Sequence, residues 1–164
     1  MINKLSSEKR YQVIPRTLIF VFNNTEILLI KQNSDKKPGF GKWNGIGGHI
    51  EEGEDLYFAA KREISEETGL LIDNITLNFI TIIPDKKNIG VCLFIFSGNS
   101  EVTTINESPE GQLRWISIDH LTDYPLMDDL PRLLELVVSQ NTSNRPQILS
   151  YMNDVNGLRI DIVK

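Results

Sequence analysis

Gly48-x5-Glu54-x7-Arg62-Glu63-Ile64-Ser65-Glu66-Glu67-Thr68-Gly69-Leu70 sets a run of carboxylates close behind a cluster of glycines. Residues 55–68 carry the signals of a helix. Glu54 and Asp55 suit its positive end, Ala59 and Ala60 favour it, and Gly69 stops it as a left-handed cap. At about 100° per residue, Glu63, Glu66 and Glu67 share an arc of about 100°, and Leu56, Ala60 and Ile64 fill the adjoining arc, free to pack on a sheet. The like-charged i,i+4 pair Glu63 and Glu67 costs a few tenths of a kcal/mol, part of which Arg62 offsets from its place i,i+4 to Glu66. Acid at a helix C-terminal end also opposes the macrodipole. Local conflict of this kind is expected at functional sites, and a hard divalent cation would relieve it. Gly45, Gly47 and Gly48 let backbone approach a ligand closely.

The surrounding composition narrows the choices. Seven acids (Glu51, Glu52, Glu54, Asp55, Glu63, Glu66, Glu67) lie between Gly48 and Leu70 against Lys61 and Arg62. That window therefore carries the whole net charge of −5. A solvated acidic face is what charge runs usually mean, and nothing resembles a basic nucleic-acid footprint. A hydrophobic fraction of 40% argues against disorder. The longest apolar run, Val91 to Phe96, falls far short of the ~18 residues of a membrane span. The first ten residues lack the apolar stretch of a secretory signal, so a cytoplasmic protein is expected. The single cysteine, Cys92, excludes an internal disulfide and reads as a buried structural thiol.

Outward from the helix, residues 1–10 read as a flexible arm and 11–164 as a single domain. Tyr11–Phe22 and Glu26–Gln32 read as strands turning at Asn23-Asn24. A loop runs from Asn33 to Lys42, and Trp43 to Gly48 is too glycine-rich for a regular element. Leu77–Pro84, Ile89–Ser97 and Leu113–Ile118 read as strands, Leu130–Ser139 as a second helix, and Gln140 to Arg145 as a connector. A last hairpin from Ile148 to Val163 turns at Asn156-Gly157. Strands surrounding two helices predict one mixed α/β sandwich.

Nine specified positions agreeing by chance has odds on the order of one in a million or rarer. The segment resembles the signature of the Nudix hydrolases, G-x5-E-x7-R-E-U-x-E-E-x-G-U with U aliphatic, and matches every fixed position. The resemblance implies an α/β/α sandwich holding a loop–helix–loop. It also implies Mg²⁺-dependent hydrolysis of a nucleoside diphosphate linked to another group, with Mn²⁺ able to stand in. The metals would be held by Glu63, Glu66 and Glu67, helped by the Gly48 carbonyl, while Glu54 and Arg62 support the loop and orient the others. A pyrophosphate would be repelled by this acidic window unless cations intervened. Glu63, Glu66 and Glu110 are the candidate bases. Glu110, in Pro109-Glu110-Gly111-Gln112, lies where the family often places a further glutamate, with Glu107 as its understudy.

Trp43-Asn44-Gly45-Ile46-Gly47-Gly48 resembles the W-N-G-x-G-G of MutT-type oxidised-purine nucleoside triphosphatases. That likeness implies that Asn44 and the pair Asp128-Asp129 read the base. The plain alternatives are a turn-forming asparagine and an N-cap for helix 130–139. Leu126 stands where such enzymes carry a stacking tryptophan, so a broader purine range is expected. Phe40 is a candidate to line a base, while His49, His120, Glu51 and Glu52 read as surface or structural. The expected activity is cleavage of a nucleoside triphosphate, such as 8-oxo-dGTP, to monophosphate and pyrophosphate, by a monomer or homodimer acting on a small molecule. The rivals are ADP-ribose, nucleotide sugars, dinucleoside polyphosphates, and a nucleotide-binding module without turnover. The intact carboxylate set favours an enzyme.

Overall fold

The two apolar runs near the N-terminus form the centre of the sheet in this computed structural model, which describes residues 10–33, 39–84, 88–140, 145–154 and 157–163. β1 (Gln12–Asn23) and β2 (Glu26–Gln32) pair antiparallel around Asn24, which adopts a φ of 51°. β3 (Trp43–Asn44), β4 (Ile75–Pro84), β5 (Ile89–Asn99), β6 (Gly111–Ser117), β7 (Gln147–Asp154) and β8 (Gly157–Ile162) complete the sheet. Its order is β3-β2-β1-β5-β4-β7-β8, with β6 also paired to β2. β1 runs parallel to β5 and β4 parallel to β7, while the other pairs are antiparallel. The sheet is therefore mixed.

The continuous apolar runs are explained by cover on both faces. Leu18 and Phe20 of β1, with Ile27 and Leu29 of β2, face helix α2 (Leu130–Ser139) through Leu130, Leu133 and Val137. The alternate residues Ile19, Val21, Leu28 and Ile30 face helix α1 (Leu56–Thr68) through Ala60 and Ile64. This is the expected α/β/α layering.

Local structure refines the expectations. α1 starts at Leu56, because Asp55 is its N-cap and accepts from the N–H groups of Tyr57 (2.9 Å) and Phe58 (3.0 Å). Gly69 ends it in the left-handed region, with a φ of 76°. The glycine-rich segment holds more regular structure than expected. Trp43–Asn44 forms a strand and Ile46 bridges Ile19 of β1. Gly47 makes that approach feasible, since a Cβ there would sit 2.3 Å from the Thr17 carbonyl oxygen. β4 and β5 extend to Ile75 and Asn99, β6 begins at Gly111, and an unforeseen 3₁₀ turn covers Ile118–Asp123. β4 skips register at Asn78, between Leu77 and Phe79. Residues 1–9 of the arm, 34–38 of the loop, 141–144 of the connector and Asn156 of the hairpin turn lie outside the described residues. Among the described residues no helix is long and apolar enough to cross a membrane.

Candidate active site

Arg62 organises the acidic end of α1. Its Nε donates to Glu54 Oε1 (2.7 Å), and its Nη2 donates to Glu54 Oε2 (3.0 Å) and the His49 carbonyl (3.0 Å). Its Nη1 donates to Glu63 Oε1 (2.9 Å) and Glu66 Oε2 (3.0 Å). A planar guanidinium suits this many acceptors, whereas an ammonium would not hold them in fixed directions. Glu54 in turn accepts from the Glu51 N–H (3.0 Å), tying the loop to the helix. The bond from Arg62 holds the Glu54 carboxyl below the usual range, and Glu54 raises the Arg62 guanidinium in return. Glu63 behaves differently. Burial pushes its carboxyl up, against the pull of Arg62, and the charges of Glu66 and Glu110 push the same way.

Gly48 lies directly on Glu63: a Cβ there would stand 2.3 Å from Glu63 Oε1. Its carbonyl accepts from the Thr17 N–H (2.9 Å), which fixes it to β1 while leaving a second lone pair. Glu66 is exposed, with 61% of its side chain accessible, whereas Glu67 is buried on the inner side of α1. Among the described residues no three His, Cys, Asp or Glu side chains stand gathered as a ready cation cage. Glu63 and Glu66 both accept from the Arg62 Nη1, and Glu67 is buried. The donor set is nonetheless all hard oxygen, and the missing Cβ of Gly48 lets the Glu63 carboxylate lie against the backbone there. Both features suit a hard divalent cation.

A cleft of about 560 Å³ joins these groups to the rest of the site. Gly48, Glu63, Glu66 and Glu110 line it together with Asn44 and Asp129. Arg62, Glu54, Glu67, Gly69 and Asp128 are not in its lining. Asn44 is held by backbone: its neighbour Trp43 receives a bond from the Met127 N–H (3.0 Å) and donates its own N–H to the Pro125 carbonyl (2.8 Å). β3 thereby stitches Asn44 to the Asp128-Asp129 segment. The Asn44 Oδ1 accepts from the Gly45 N–H (2.9 Å).

The two aspartates part company. Asp128, with 80% of its side chain accessible, is drawn outward by Lys42. Asp129 occupies the N-cap position of α2 but makes no side-chain capping bond. The Tyr151 hydroxyl donates to its Oδ2 (3.3 Å) instead. Burial pushes the Asp129 carboxyl up, and burial together with Asp129 pushes the Tyr151 phenol up.

Sequence reasoning missed several lining residues. Met127, Leu93, Val91 and Ile83 give the cleft an aliphatic wall. The last three sit on segments read only as strands, and Met127 directly follows Leu126. Tyr151 and Lys42 carried no local signal, because each meets its aspartate only through the fold. His49 and Glu51, read as surface residues, line the cleft; Phe40 is 59% exposed and does not. Glu107 is also exposed and outside the lining, and Cys92 is half-buried rather than buried.

Known proteins resemble this chain in sequence and in fold. The model of the NUDIX domain matches residues 13–137. An oxidized purine nucleoside triphosphate hydrolase of Mus musculus is 34% identical over 121 residues, covering 69% of this chain and 72% of that protein. A protein of the same description from Danio rerio is 33% identical over 119 residues, covering 64% and 67%. Among solved structures, the MutT protein of Bacillus halodurans superposes with a TM-score of 0.67 at 26% identity, covering 91% of this chain and 98% of that one. Nudix hydrolases generally use a divalent metal and act on small-molecule nucleotides. With its signature on one helix, its sheet sandwiched between two, and the family's model spanning most of its length, this chain belongs to the Nudix hydrolase family.

Proposed function

We propose that the chain hydrolyses purine nucleoside triphosphates, oxidised ones such as 8-oxo-dGTP included, to nucleoside monophosphate and pyrophosphate with Mg²⁺. The observation that carries this reading is a single cleft lined by Glu63, Glu66, Glu110 and Gly48 on the one hand and by Asn44 and Asp129 on the other. The relatives described as oxidized purine nucleoside triphosphate hydrolases support it. Glu63, Glu66, Glu67 and the Gly48 carbonyl would hold the cation. When bound, it would neutralise the phosphate oxygens, polarise phosphorus and acidify water.

The chain's own residues do the rest. Arg62 keeps Glu63 and Glu66 in fixed orientation, with Glu54 as its anchor and Gly69 ending the helix behind it. A water oxygen bonds to phosphorus and the anhydride P–O bond breaks. The water's proton passes to a cleft carboxylate, for which Glu63, Glu66 and Glu110 compete. Asn44 offers donor and acceptor together to the base edge. Asp129, its pKa raised by burial, is suited to donate to a purine carbonyl. Asp128 assists from outside through Lys42, and Met127 with Leu93 packs the base in place of an aromatic ring. The protein works as one domain over 11–164 in the cytoplasm, as a monomer or homodimer, without nucleic-acid or membrane partners.

The test is kcat/KM with Mg²⁺, and then with chelator, for normal and oxidised dNTPs, ADP-ribose and diadenosine polyphosphates. Asn44→Ala and Asp129→Asn should change the ratio between bases at least tenfold while hydrolysis persists. Unmoved ratios, or preferred cleavage of ADP-ribose, overturn the substrate assignment.

A further inference from the structure

α2 ends over a second cleft, of about 470 Å³, on the same face of the sheet as the first. The first contains Asp129 at the start of that helix; the second contains Val137 and Gln140 at its end. Among the described residues no Asp, Glu, Lys, Arg or His lines it. Its walls are amides, among them Asn74, Asn78 and Gln140, set against Phe22, Ile118 and Val137.

Asn78 is the anomaly. It is the residue skipped in the β4–β5 register, it is only 7% exposed, and its side-chain carbonyl oxygen has no hydrogen-bond partner. Gln140 is similar: its Nε2 donates to the Asn78 backbone carbonyl (2.9 Å) and the Arg145 carbonyl (3.4 Å), leaving Oε1 without a donor. A buried acceptor left unmade costs about 1–3 kcal/mol, and native structures hold few such groups without a reason. Bulges recur beside binding sites, where they re-aim a side chain. No side-chain bond of Asn78 would be broken by turning its amide into the cleft.

We propose that this cleft binds a neutral, hydroxyl-rich ring: a free sugar, or the sugar and base of an uncharged nucleoside. Hydroxyls both donate and accept, which matches primary amides, and they supply the donors that Asn78 and Gln140 lack. The C–H face of a ring would pack on Phe22, Ile118 and Val137. The volume falls in the usual range for small-ligand sites. With no Lys, Arg or His among the described lining residues, phosphates are disfavoured, since a buried anion without a partner is costly. The cleft is thereby distinguished from the acidic one.

Side-chain amide resonances of the full chain provide the test, with methyl β-D-glucopyranoside, methyl β-D-ribofuranoside, adenosine and ribose 5-phosphate as probes. At least one neutral probe should shift the Asn78 and Gln140 signals saturably, with ribose 5-phosphate at least tenfold weaker. Response to glycosides but not adenosine identifies a free sugar; the reverse identifies a nucleoside. Asn78→Leu should weaken binding at least tenfold, read on Gln140, while nucleotide hydrolysis is unchanged. Should that variant fail to fold, Asn74→Ala at the exposed rim replaces it and should weaken binding at least threefold. No saturable shift with any neutral probe, meaning water alone fills the cleft, overturns the proposal. So does a shift undiminished in the folded variant.

Discussion

The two helices flank one sheet and follow opposite rules. α2 buries Leu130, Leu133, Leu134, Leu136 and Val137, half of its ten residues and all of them apolar. α1, three residues longer, buries only Ala59, Ala60 and Ile64 of its apolar residues, together with Thr68 and the carboxylate residue Glu67. Small side chains let α1 lie close to β1 and β2, and its outer surface carries Arg62, Glu63 and Glu66 beside the exposed Tyr57, Phe58 and Lys61. Stability should therefore depend on α2 and turnover on α1, so substitutions in the two should separate melting from catalysis.

The largest separation should come from Glu63→Gln. Loss of a positioned base or ligand typically lowers rate by about 10²–10⁴-fold, and kcat/KM should fall by that much. Stability should move the other way. Because burial raises the Glu63 pKa in the folded state, ionising it works against folding. The native chain keeps its full relative stability below the ordinary Glu pKa of about 4.3 and loses it as pH rises through the folded value. In chelator, the variant should thus melt higher than the native chain at pH 8, and the gap should close near pH 4. An equal gap at both pH values would break the argument.

Leu133→Ala should do the reverse, costing about 2–5 kcal/mol of stability by denaturant titration. Its kcat should be unchanged well below the melting temperature. Next comes Gly48→Ala, whose new methyl would meet the end of the Glu63 side chain rather than backbone. The fold should tolerate it, while displacement of Glu63 by about 1 Å should lower kcat roughly 10²-fold. The smallest effect belongs to Asp55→Ala, which removes two capping bonds from α1. It should lower stability by about 1 kcal/mol and activity no more than severalfold. A drop in activity as large as that of Gly48→Ala would show that the start of α1 also sets the carboxylates.

What could be read directly from the chain was local or strongly patterned. The apolar runs of β1 and β2, Asp55 and Gly69 at the ends of α1, and the spacing of Glu63, Glu66 and Glu67 needed no partner to be recognised. Pairings at long range were not legible. Lys42 meets Asp128 and Tyr151 meets Asp129 across 86 and 22 residues. Nothing near Asp129 shows that its carboxylate turns from capping α2 toward a tyrosine in the last hairpin. The strand at Trp43–Asn44, which pairs with β2, was hidden beside glycines that discourage a strand by propensity, while close approach of Gly45 and Gly47 to β1 requires them. Asn78 looked like an ordinary strand residue until its partner strand was known.

The parallel pairing of β1 with β5 has a consequence in time. It joins Gln12 to Ile89 and runs on to Phe22 and Asn99, so one edge of the first strand, whose other edge pairs with β2, waits for a partner made much later. Closing so long a loop before any reward slows folding toward the millisecond-to-second range of non-local topologies. Meanwhile the Leu18–Phe22 run stays uncovered and prone to stick to other chains. Because Thr17 on that strand holds the Gly48 carbonyl, the catalytic corner matures only after this docking. Recovery of activity on refolding should therefore lag behind the formation of α1.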